Sequence, residues 1–275
     1  IELLLEYGAD PEGRGGSSHA DAPIVTAAEH GHAAAVAALV EAGASHTLYE
    51  LLLAGMEATV CRHLDRHPEA VNGLLDNETP PLHTALLTQA GTKLVPLLLE
   101  RGADPLGRDA AGRTALHKAL DQEHPEPIAV LRSYGELDIF AAAGLGQEAE
   151  VARLLAGKPE LARECQIDGT TPLFYAVLAG NVAIAARLLE AGADPSPRST
   201  RYWACISPLH LALMRQEVSL VELLLAKGAD PDAYGSTRGY SPTPLHVAAR
   251  WNGAEGIISL LDAGADPYAG GPVDE

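Results

Sequence analysis

The 275 residues are 47% apolar but only 4% aromatic, with 19 Lys and Arg against 37 Asp and Glu and a net charge of −18. That length buries a substantial core of small and aliphatic side chains, which favours a mainly helical protein. The acidic balance disfavours general nucleic-acid binding, which needs clustered cations to neutralise phosphate.

Three cysteines, Cys61, Cys165 and Cys205, stand far apart. They read as reduced thiols and not as a disulfide framework, so a cytoplasmic home is expected. Apolar runs such as Leu51 to Ala54 and Ile139 to Ala143 are far too short to span a bilayer, and no signal-peptide pattern opens the chain, so no membrane association is expected. The chain opens on Ile1 inside an apparent helix without an initiator Met, the expectation for a piece of a longer protein.

In chain order, the first element is half a unit over residues 1–16, ending in LEYGAD at Leu5 to Asp10. Units follow at approximately 17–45, 46–73, 74–107, 108–136, 137–164, 165–200, 201–236 and 237–275. LLERGAD recurs at Leu98 to Asp104, LLEAGAD at Leu188 to Asp194, LLAKGAD at Leu224 to Asp230 and LDAGAD at Leu261 to Asp266. A second phrase precedes most copies: PLHTA at Pro81, TALHKA at Thr114, TPLFYA at Thr171, SPLHLA at Ser207 and TPLHVA at Thr243. Leucines four residues before each Gly, at Leu4, Leu39, Leu98, Leu131, Leu188, Leu224 and Leu260, are spaced by 33 to 36 residues except at two nearly doubled gaps. Those gaps hold divergent helix pairs, Tyr49 to Glu69 and Leu137 to Glu160, whose turns read HPE and KPE in place of GAD. A full-length hairpin finger is not expected there, so the wall of fingers should be interrupted twice.

Each residue of the phrases has a local reason. Thr243 is placed to cap a helix and Pro244 suits its first turn. Leu245, Ala248 and Ala249 form one apolar stripe, and Gly264 fits a left-handed helix end. A single unit cannot bury its own apolar face, so neighbours must stack.

The two phrases and their period resemble the ankyrin repeat along nearly the whole chain. The resemblance implies one all-α solenoid of stacked helix-turn-helix units with short hairpin-like fingers, occupying 1–275 as a single domain, expected as a monomer. It also implies that His83, His117, His210 and His246 hydrogen-bond within and between units, so their recurrence does not indicate metal. Cys61, His63 and His67 include an i, i+4 histidine pair, but too few donors accompany it for a structural metal site. Cys205 with His210 lacks an orienting acid, and no phosphate loop or nucleotide fingerprint is present, so neither catalysis nor a cofactor is implied.

In the ankyrin family, contacts come from the finger between one unit's GAD and the next unit's TPLH, together with two residues at the end of the inner helix. The finger from Asp104 to Thr114 spans 10 positions, whereas those from Asp194 to Ser207 and from Asp230 to Thr243 span 13. The first long finger carries Arg198, Arg201, Tyr202 and Trp203; the second carries Tyr234, Arg238 and Tyr240. The matching inner-helix positions hold Met214, Arg215, Arg250 and Trp251, so both tryptophans of the chain are here. Trp, Tyr and Arg dominate binding hot spots because they combine area with directional polar contacts. The expected function is a non-catalytic scaffold holding a protein or peptide with acidic or aromatic groups in the C-terminal groove. The alternative is a small-molecule or enzymatic pocket enclosed by fingers 195–206 and 231–242. The first-half groove, with Glu29, His30, Leu87, Thr88, Asp121 and Gln122, is a poorer anchor set.

Overall fold

The computed structural model describes residues 22–75, 78–202, 204–233, 242–251 and 253–269, with backbone only at 200–202, 204 and 205. They fall into two compact units, one up to Gly135 and one from Glu136.

Among the described residues the first unit contains four helix pairs: α1 (Pro23–Glu29) with α2 (Ala33–Glu41), α3 (Leu48–Leu53) with α4 (Glu57–Arg66), α5 (Pro81–Ala85) with α6 (Val95–Glu100), and α7 (Ala115–Asp121) with α8 (Pro125–Leu131). The second contains four more: α9 (Ile139–Gly144) with α10 (Glu148–Gly157), α11 (Pro172–Leu178) with α12 (Val182–Glu190), α13 (Pro208–Met214) with α14 (Val218–Ala226), and α15 (Pro244–Arg250) with α16 (Ala254–Asp262). Inner helices pack side by side as α1–α3–α5–α7 in the first unit and α9–α11–α13–α15 in the second, where the outer helices α10–α12–α14–α16 form a parallel row. Both units are therefore all-α stacks of the expected kind. The described strands, β1 (Ser199–Tyr202) and β2 (Ala204–Ile206), pair antiparallel within the first long finger.

The recurring phrases account for the stacking. At the end of α16, the Gly264 N–H bonds to the Leu261 carbonyl and the Ala265 N–H to the Leu260 carbonyl, a Schellman motif. Gly264 has φ +91°, and Ala265 and Leu260 are both buried, which explains why glycine precedes alanine. The Asp266 carboxylate accepts the Tyr268 N–H, and its own N–H donates to Asp232 of the preceding pair. Asp230 and Asp104 repeat this link, donating to Ser196 Oγ and Asn72 Oδ1. The GAD phrase thus ends one helix and ties it to its neighbour.

The inner helices start in several ways. Ser207 and Thr243 present hydroxyl and N–H to Nδ1 of His210 and His246, and Thr114 does the same with His117. His83 and His210 then give Nε2 to the carbonyl just before the next unit's cap, at Arg113 (2.9 Å) and Pro242 (3.2 Å), the role the family resemblance implies. In α3 a buried Glu50 takes the histidine slot and accepts both the N–H and hydroxyl of Thr47. Asp138 caps α9 through Ala141 N–H.

The α5 start is defective. Sequence TPPLH puts Pro80 at the cap, which has neither N–H nor hydroxyl, so buried His83 Nδ1 has no hydrogen-bond partner. Pro80→Thr restores both donors and is expected to stabilise the first unit by about 1 kcal/mol in urea denaturation. A decrease would show that Nδ1 is satisfied in some other way.

The expected interruption of the finger wall is smaller than the sequence implies. Short 3-10 turns at Pro68–Val71 and Pro159–Arg163 replace GAD in the two divergent pairs. Asn72 and Arg163 then donate to the carbonyls of Gly102 and Gly192 in the following pairs. The tip also survives. Gln166 N–H bonds Thr170 O and Gly169 N–H bonds Gln166 O, the pattern made by Asp109, Arg113 and Gly112 in the regular finger and by Leu75, Thr79 and Glu78 in the other divergent one. The finger base is rebuilt at unchanged length, Arg66 to Leu75 and Gly157 to Gln166 matching Glu100 to Asp109, because the tip needs one left-handed residue and not the GAD turn.

Candidate functional site

The second unit places part of the proposed contact set on one surface. Its floor is built from the C-terminal ends of four adjacent inner helices. The last groove position of each pair holds Leu145, Leu178, Met214 and Arg250 in turn, and the next residue holds Gly146, Ala179, Arg215 and Trp251. Leu178 is buried, Leu145 and Met214 half-buried, and Ala179, Arg215 and Arg250 exposed. Trp251 is 44% exposed, and its carbonyl is held by Gln216 Nε2 at 3.0 Å. Counting from each inner-helix start would have found Leu145, Leu178 and Ala179, which the search for aromatic and cationic residues passed over.

The first long finger stands on a fixed base. Ser199 and Thr170, both fully buried, join their hydroxyls at 2.9 Å. β1 pairs with β2 from Ser199↔Ile206 to Tyr202↔Ala204, and β2 rests on α13. Arg198 is exposed just before β1. Arg201 and Tyr202 lie on β1, placed by backbone alone, while Trp203, Tyr234, Arg238 and Tyr240 lie outside the described residues. For the second finger the described part is its ends: Asp232 receives Asp266 N–H, and Pro242 O receives His210 Nε2.

Gly169 decides where that base sits. It has φ +79°, and a Cβ there would collide with the Arg198 carbonyl oxygen. Gly112 has the same φ with open space around its missing Cβ. Gly169→Ala is expected to destabilise its unit by roughly 2 kcal/mol, against about 1 kcal/mol for Gly112→Ala, in paired denaturation measurements. Equal effects would mean that the finger base yields freely.

Both ring nitrogens of His210 are committed, so it is not poised as a base for Cys205, whose side chain is outside the described set. Among the described residues no group of three His, Cys, Asp or Glu could hold a metal ion; His67 Nδ1 lies 3.6 Å from Glu69. In the first unit's floor, Asp121 is drawn into the interior beside Arg113 and Thr88 donates its hydroxyl to Leu53 O, so two of the six alternative groove residues serve the fold. Among the described residues, a cleft of about 310 Å³ near the second unit's floor is lined by Leu213 of α13, Val221 of α14, and Gln216 and Gly253 of the turns that follow α13 and α15. Among the described residues no helix is long and apolar enough to cross a membrane.

Residues 168–199 match the family described as ankyrin repeat, and residues 203–270 match ankyrin repeats in three copies. The second unit thus carries ankyrin repeats over residues 168–199 and 203–270. It is similar to ankyrin repeat and SAM domain-containing protein 6 of Danio rerio, 28% identical over 184 residues, 62% of this chain and 21% of that relative. The chain thus spans about a fifth of that relative's length. The family matches fall within the unit that carries the candidate floor and the long fingers.

Proposed function

We propose that this ankyrin-repeat chain is a non-catalytic scaffold that holds a protein or peptide in the groove of its second unit. Ankyrin repeats are generally protein-interaction modules. The observation that carries the reading is the floor itself, where Arg215, Arg250 and Trp251 are exposed at adjacent inner-helix ends. The fold does not need them: the corresponding slots of other pairs hold Gly55, Gly146, Ala54 and Ala179. Exposed aromatic and guanidinium groups are the residue types on which protein contacts concentrate.

A partner captured on the chain, purified and titrated against it by calorimetry tests this. Trp251→Ala, with helix content unchanged by circular dichroism, is expected to weaken binding by about 30-fold, the loss typical of a hot-spot aromatic. An unchanged dissociation constant would remove the groove from the contact.

A further inference from the structure

The floor of the second unit changes character along the stack. At the ends of α9 and α11 it is small and aliphatic, with Leu145, Leu178 and Ala179. At the ends of α13 and α15 it becomes Met214, Arg215, Arg250 and Trp251. The same slots of the first unit contain no arginine, so the guanidinium groups are not a requirement of the repeat. They are also unlike the rest of a chain of net charge −18. Glu217, two residues beyond Arg215, turns its carboxylate toward the aliphatic end, against Gly180, one residue beyond Ala179.

Resting on the scaffold reading above, we propose that the groove takes an acidic peptide in one direction, aliphatic side chains over Leu178 and Ala179 and carboxylates at Arg215 and Arg250. Small residues at the α9–α11 end let a bulky side chain or backbone approach closely, and the Glu217 carboxylate repels an acid placed there. At the other end Arg250 offers a planar fork that matches a carboxylate with two parallel hydrogen bonds, and Arg215 adds a second positive charge at the neighbouring inner-helix end. The more distant acids of the chain do not cancel this attraction, because their fields are screened over about 8 Å at physiological ionic strength. Met214 sits between the two ends and adapts to either neighbour, as a flexible thioether does.

The test is a random 12-residue peptide phage library selected on the full chain, with Arg215→Ala/Arg250→Ala and Trp251→Ala as parallel baits verified as folded. The expected retained pool is net negative, with aliphatic and acidic residues in a consistent order. A synthetic consensus peptide is expected to lose at least about tenfold in affinity on the double arginine variant, and as much when its acids become lysine. A neutral or basic pool, or acidic peptides with no consistent order, overturns the proposal. Peptides that survive the arginine substitutions but are lost with Trp251→Ala overturn it while leaving the scaffold reading in place. Failure to enrich any peptide, or binding indifferent to every groove variant, overturns both.

Discussion

Arg113→Ala is expected to lower the stability of the first unit by about 3–5 kcal/mol, the loss that follows when one partner of a buried ion cluster is removed. Arg113 donates Nε and Nη2 to Asp109 Oδ2 at 3.1 and 2.9 Å, and its Nη1 lies 3.6 Å from Asp121. The side chains are 15%, 8% and 2% exposed, so water cannot replace the guanidinium. Burial pushes the Asp109 carboxyl up, but the hydrogen bonds and charge of Arg113 more than offset this and leave its pKa below the ordinary value. A depressed carboxylate contributes stability that is present above its unfolded pKa and lost as pH falls through the folded one. Without Arg113 the sign reverses: the buried carboxylates prefer to be protonated, so the variant's deficit should be smaller at pH 4.5 than at pH 7.5. Arg113→Lys should be intermediate, because an ammonium cannot engage Asp109 through two fixed donors. Arg113→Met/Asp121→Leu should recover much of the loss, since Asp109 keeps the backbone N–H groups of Ala111 and Arg113. Urea denaturation with hydrogen exchange read in the first unit checks all four; a deficit below about 1 kcal/mol for Arg113→Ala would mean that solvent enters the cluster.

This cluster also marks where the sequence stops being legible. The helix pairs can be read in advance because cap, apolar stripe and Schellman glycine lie within a few residues of one another and recur with the period. The groove floor can be read for the same reason, by counting from Pro208 and Pro244 to Met214 and Arg250. Interactions between distant positions are different. Nothing at Thr170 announces Ser199, and nothing at Arg113 announces Asp121, because each contact depends on how the finger folds over the helices and not on a local phrase. The surviving tips, at Leu75, Glu78 and Thr79 and at 166–170, are hidden for a further reason. Their signal is a single left-handed residue, Glu78 or Gly169, and the missing GAD turn drew attention away from it.

The second unit should lose stability on mild acidification through His210. Nδ1 accepts both the N–H and the hydroxyl of Ser207, so the ring proton sits on Nε2 and is donated to Pro242. A second proton on Nδ1 would face a backbone N–H that cannot turn away. Burial is the largest cause that lowers the His210 pKa, opposed by the bond to Pro242, and the value falls from 6.5 to about 4. For a histidine with a depressed folded pKa, the unfolded chain binds more protons between those values, so stability is full above pH 6.5 and is lost as pH falls toward 4. The expected deficit, relative to pH 7.5, is about 1 kcal/mol at pH 5.5 and roughly 2–3 kcal/mol at pH 4.5. Trp203 and Trp251 are the chain's two tryptophans and both belong to this unit, so fluorescence during urea denaturation reports it selectively. His210→Leu should be less stable at pH 7.5 because Ser207 and Pro242 lose their partner, but its stability should fall less steeply between pH 6.5 and 4.5. If the parent and variant share the same slope, His210 is not the titrating group. Because the second proton arrives at Nδ1, the Nε2–H bond to Pro242 is kept, and the link that is lost is the Ser207 cap at the start of α13.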